Sequence, residues 1–132
     1  MKGMSTVNRF WGAALVAATL FACSANRKDE GAALVSTIGA SRLAADVAVL
    51  KDRGSTQPEV LQKSDWPAAI RDLKPQSVRV EANGVFVQRW KAYVEEEGIF
   101  VAFPGAVIDT SAGREPSFTL IEPNIYWCRI KG

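Results

Sequence analysis

Ser77-Val78-Arg79-Val80-Glu81-Ala82-Asn83-Gly84-Val85-Phe86-Val87-Gln88-Arg89-Trp90 is the most strongly patterned stretch of the chain. Apolar and polar residues alternate before Asn83-Gly84, and Val85 and Val87 continue the inward set after it; a period of two belongs to half-buried strands. Asn-Gly is the favoured pair for a two-residue type I′ turn. Closure through Asn83 and Gly84 would set Ala82 opposite Val85, Val80 opposite Val87 and Val78 opposite Arg89. One face would then carry Val78, Val80, Ala82, Val85 and Val87, and the other Arg79, Glu81, Phe86 and Gln88. A slip of one residue would bury the charged set, so the pattern specifies which residues turn inward.

Further strands follow the hairpin. Gly98 to Phe103 is β-rich and bounded by Gly98 and Pro104. Residues 105–116 read as a long loop, Ser117 to Ile121 as a short extended piece, and Asn124 to Ile130 as a last strand entered through Pro123. Helices precede it. Leu43, Val47 and Leu50 recur at helical spacing within an alanine-rich segment, Ala32 to Arg53, that Gly39 interrupts and Gly54 ends. A second helix is expected from a cap at Ser64 or Asp65, with Pro67 in its first turn and a stop at Lys74 before Pro75. Trp66, Ile70 and Leu73 form its apolar stripe, with Trp66 as a core anchor. The expected fold is α+β: two N-terminal helices packed on one face of a small, mainly antiparallel sheet of about four strands.

The N-terminus carries an address. Lys2 and Arg9 precede an uncharged run from Phe10 to Ala22. As a helix this run would span roughly 20 Å, against about 30 Å of bilayer hydrocarbon. That length suits the apolar core of an export signal. The run ends in Leu20-Phe21-Ala22-Cys23, which resembles the lipobox of bacterial lipoproteins. The resemblance implies a signal peptide over 1–22 and a mature chain that begins at a lipidated Cys23, with fatty acids such as palmitate as its membrane partner. Such proteins carry three acyl chains, and more than one chain is needed for stable anchoring. Ser24 follows the cysteine, where an aspartate would signal inner-membrane retention, so the resemblance implies the outer membrane, facing the periplasm, in a Gram-negative envelope. Cleavage after Cys23-Ser24-Ala25 by an ordinary signal peptidase would instead give a soluble secreted or periplasmic chain starting at Asn26. Polar residues 23–31, with four consecutive charges, read as a flexible tether, and 32–132 as a single domain.

Trp66-Pro67, Ile70, Leu73, Pro75, Val78 and Val80, with Glu96, Gly98-Ile99 and Tyr126-Trp127 downstream, look like a set of small uncharacterised bacterial proteins. That resemblance implies architecture and no activity.

Loss of the leader changes the chemistry of the chain. The whole chain has 16 basic and 14 acidic residues, and removing Lys2 and Arg9 leaves 14 of each. A neutral domain with dispersed charge has no footprint for nucleic acid. With Cys23 lipidated, Cys128 stands alone among apolar neighbours and reads as buried and inert. The chain has no histidine, so a Ser-His-Asp arrangement cannot form. There is no phosphate loop and no Cys/His metal cluster, so no cofactor is expected. Glu95-Glu96-Glu97 could bind a cation or serve an envelope hydrolase together with Asp109, yet a charge run beside Gly98 reads more simply as a solvated turn. The sequence therefore favours a binding or structural interaction module, such as an assembly factor, inhibitor or immunity-type protein, over an enzyme. Phe86 on the polar hairpin face, with Tyr126 and Trp127, is the expected contact patch for a protein partner.

Overall fold

The computed structural model describes residues 26–132, so the leader and Cys23 lie outside the described residues. The chain divides into two compact units, Met1–Glu30 and Gly31–Gly132. In the first, residues 26–30 are helical. Their Arg, Lys and Glu are good helix formers.

The second unit opens with α1, residues 31–38, and α2, Ala40–Ala48. Gly39 separates them with φ 99. Its amide closes on Val35 O at 2.8 Å, and its carbonyl receives the Leu43 amide at 3.1 Å. One residue thus ends one helix and starts the next. An added Cβ there would meet no atom within 4 Å, so the backbone angle is what requires glycine. Residues 63–65 form a single 3₁₀ turn, and α3 covers only Ala68–Asp72. This corrects the longer helix expected from Ser64. Pro67 is the N-cap and offers no side-chain bond. The Ala69 amide is instead bound by Asp46 Oδ2 from α2 at 2.8 Å. Arg42 and Asp72 join the same two helices at 2.9 Å. Lys74 follows at φ 55, the left-handed stop common just past a helix end.

Six strands, not four, form one antiparallel sheet: β1 Glu59–Val60, β2 Ser77–Glu81, β3 Gly84–Ala92, β4 Glu95–Ala102, β5 Ser117–Glu122 and β6 Ile125–Ile130. Their order is β1-β2-β3-β4-β6-β5. The expected faces hold except at Ala82, which is exposed in the turn, and the expected turn does not hold. Glu81 pairs with Gly84, Val80 with Val85 and Val78 with Val87, so Ala82 and Asn83 make the turn. Neither has positive φ, and type I′ requires it at both central positions. Moving each partner by two residues preserves the side-chain parity, which is why the faces survive. Gly84 lies in the strand for another reason. A Cβ there would fall 2.5 Å from Val101 O and 2.6 Å from the Phe100 ring on β4.

Helices cover one face of the sheet. Val35, Leu43, Val47, Ile70 and Leu73 pack there with Val78, Val80, Val85, Val87, Ile99, Val101 and Trp127. Trp66 is buried as expected, with Nε1 donating to Leu61 O at 3.4 Å. A bulge interrupts the β3–β4 register between Gln88 and Trp90. Arg89, inside it, donates to the carbonyl of Leu73 at the end of α3. The other face is also covered. Phe86, Phe100, Ala102 and Cys128 are buried beneath Ala106 and Ile108 of the 103–116 loop, with Phe118, Tyr126 and Ile130 at the margin.

Candidate functional site

The expected contact patch is divided by the pleat. Phe86 is 1% exposed and Trp127 6%, so neither offers surface to a partner. They also lie on opposite faces: Trp127 packs among the helices and Phe86 in the second cluster. Tyr126 alone is partly exposed. Its ring meets Phe118 edge-on at 6.0 Å, and Phe118 meets Phe100 at 5.2 Å. Edge-to-face aromatics bury large apolar area with defined geometry, so this set holds the second face together. The Arg79 guanidinium lies 5.1 Å from the Phe86 ring centroid and caps the cluster.

Cys128 sits in this cluster, 2% exposed and free of any disulfide. Burial, reinforced by the Glu81 carboxylate, pushes its thiol up to about 12. A nucleophilic cysteine needs thiolate at neutral pH, and this environment withholds it.

Glu95, Glu96 and Glu97 open β4 rather than forming a solvated turn. Pleating sends them to alternate faces. Glu96 receives a hydrogen bond from Gln88 Nε2 at 2.5 Å and lies 3.6 Å from Arg79. Glu97 is buried at 1% exposure, with Arg129 Nε 3.6 Å away, while Glu95 lies 3.8 Å from Arg129 Nη2. Asp109 engages its own loop. It accepts from the Ser111 amide and hydroxyl and pairs with Arg114 Nε at 2.9 Å. These bonds to Ser111 hold its carboxyl below the usual carboxylate range. The carboxylates considered for cation binding are thus partnered by arginine, glutamine and serine. Among the described residues no group of three or more His, Cys, Asp or Glu is placed to hold a metal ion.

Two surface features went unread in the sequence. The β3–β4 turn is Tyr93-Val94, with Tyr93 97% and Val94 63% exposed. Tyr93 stands at φ 53, uncommon for a bulky side chain. Nearby, an open recess of about 340 Å³ is lined by Gly113, Arg114, Glu115, Ser117, Arg129 and Lys131. Its residues come from the 113–116 loop, the start of β5 and the end of β6, which pairing brings together. No linear motif announces them. Among the described residues no helix is long and apolar enough to cross a membrane. No family model, curated protein or solved structure matches the chain.

Proposed function

We propose that this is a lipid-anchored cell-envelope protein whose Gly31–Gly132 domain acts as a protein-binding or structural interaction module. The observation that carries the proposal is the order of the N-terminus: Lys2 and Arg9, an uncharged run from Phe10 to Ala22, then Leu20-Phe21-Ala22-Cys23. A cysteine at that point, after an apolar segment too short to span a bilayer in comfort, is the acceptor expected of a lipoprotein. Acyl chains contribute roughly 0.8 kcal/mol per buried methylene, so several together anchor a chain stably.

Support for the binding role comes from the state of the polar groups. Glu95, Glu96, Glu97 and Asp109 are neutralised by side chains of the same domain, which suits structure better than proton transfer. The aromatic residues first expected to meet a partner are largely interior, so the contact surface moves outward. Val107 at 92% exposure, Leu120 at 59% and the Tyr93-Val94 tip are among the exposed apolar side chains of the domain, with Val49 and Val60. Leu120 lies on β5, an edge strand of the sheet, and open edges are ready templates for another chain.

Crosslinking in intact cells, followed by pulldown of wild type beside Cys23→Ala, tests address and partner together. The proposal expects wild type in the membrane fraction with a crosslinked envelope protein. It expects Cys23→Ala to leave that fraction. Membrane retention of Cys23→Ala, or a purified domain that turns over a small molecule and captures no protein, would contradict it.

A further inference from the structure

The two edges of the sheet are unequal. β1 is two residues long, whereas β5 runs from Ser117 to Glu122. Short strands, lysine, proline and bulges are the usual protections of an edge. β5 contains no lysine and no proline. Pro116 before it, and the bulge between Leu120 and Glu122, bracket a free stretch without covering it. Thr119 and Leu120 at its middle are exposed. Among the described residues, no backbone hydrogen bond from outside the strand pairs reaches residues 117–122.

The strand register decides which backbone groups of β5 are left over. The Ala102 amide donates to the Asn124 carbonyl at 2.8 Å, in the register that pairs Val101 with Ile125 and Phe100 with Tyr126. Hydrogen-bonded pairs alternate along an antiparallel ladder. Tyr126 and Cys128 therefore turn their backbone groups to β4, and Trp127 and Arg129 turn theirs to β5. Their partners on β5 are Thr119 and Ser117, which leaves the N–H and C=O of Phe118 and Leu120 pointing away from the sheet. These groups are self-complementary. When two copies lie antiparallel about Thr119, Phe118 faces the partner's Leu120 and every outward amide meets an outward carbonyl. Neighbouring registers do not achieve this. Centring on Phe118 sets Leu120 against the partner's Pro116, which has no N–H. Centring on Leu120 sets Phe118 against the partner's Glu122, beyond the bulge. Side chains agree with the register about Thr119. Phe118 belongs to the second cluster, and Leu120, 59% exposed, shares its face. Pairing would lay each Leu120 beside the partner's Phe118, a favourable cross-strand contact. Glu122 would face the partner's Pro116, so no like charges would stand opposite each other.

We propose that β5 pairs antiparallel with β5 of a second copy of this chain, joining two sheets edge to edge in a symmetric dimer centred on Thr119. The inference rests on the interaction-module reading and names its partner. Oxidation of the full-length chain in mild detergent with copper–phenanthroline tests it. With Cys23→Ala in place, buried Cys128 is the remaining native thiol. Thr119→Cys puts its thiols on the dimer axis, where opposed Cα atoms lie about 4.5 Å apart, within disulfide reach. Ser117→Cys faces the partner's Ile121 instead, which leaves its two copies four residues, or about 13 Å, out of step. Thr119→Cys is expected to form disulfide dimer at about five times the yield of Ser117→Cys or more. Adding Leu120→Pro removes an outward donor at a position where an edge tolerates proline, and should cut that yield about fivefold. Leu120→Lys keeps the backbone donor but adds the charge that guards edges. It should cut the yield likewise while far-UV circular dichroism stays unchanged. Equal dimer from Ser117→Cys, or a yield indifferent to Leu120→Lys, would overturn the proposal. So would a Thr119→Cys chain that stays monomeric, which would leave the edge to a different protein. None of these results alters the membrane release of Cys23→Ala or the capture of an envelope protein in cells, so the broader reading fails separately.

Discussion

Cys128 shows how a neighbourhood sets the behaviour of one residue. Its sequence context of Tyr126, Trp127 and Ile130 announced burial, and 2% exposure agrees. The pH consequence follows from the direction of the shift. The unfolded thiol ionises near 9.0, whereas the folded one resists to about 12. Below pH 9 the thiol is neutral in both states and its stabilisation is fully present. As pH rises from about 9 towards 12, the unfolded state loses its proton while the folded state keeps it, so stability falls. Denaturant unfolding of wild type should therefore decline more steeply over that window than unfolding of Cys128→Ala. Parallel declines would show that the thiol is solvated. Gly84 teaches a different lesson. Its position after Asn83 looks like turn chemistry, yet Phe100 and Val101 of β4 demand it. A requirement imposed by a strand many residues away cannot be read from a dipeptide.

At the scale of elements, side-chain period was legible and element ends were not. The alternation through β2 and β3 placed Val78, Val80, Val85 and Val87 on the helix-covered face and Phe86 on the other, as observed. Strand period is local, so the sequence carries it. The start of α3 is settled elsewhere: Pro67 contributes no side chain, and Asp46 supplies the acceptor from α2. Asp46→Ala should cost about 1 kcal/mol, the usual loss for a helix cap. It should leave the sheet intact, measured as a shift in denaturant midpoint with unchanged slope. No shift would mean that the Ala69 amide finds another acceptor. The loop over residues 103–116 was also illegible in its role. Ala106 and Ile108 have no periodic partner in sequence, but they roof the cluster of Phe86, Phe100 and Cys128. A face read as polar thus became a second core, which withdrew Phe86 from the expected contact patch.

The whole molecule combines a chemically marked N-terminus with a domain whose charged groups are mostly satisfied internally. Its α+β class was legible because hairpin spacing and helical stripes are local patterns. The number of strands was not, since β1 is only two residues long and is ordered by pairing with Arg79 and Val80. The recess lined by Arg114, Glu115, Arg129 and Lys131 was invisible for a related reason, being assembled by pairing of a loop and the ends of two strands. The role proposed for this domain depends first on where Cys23 places it. Intact mass measurement of the membrane-extracted chain, with metabolic palmitate labelling of wild type and Cys23→Ala, addresses that most directly. The account predicts a wild-type species beginning at Cys23, heavier than its peptide by a lipid modification and labelled with palmitate, and no label on Cys23→Ala. An unlabelled wild-type chain of plain peptide mass, starting at Asn26 or retaining residues 1–22, would contradict it.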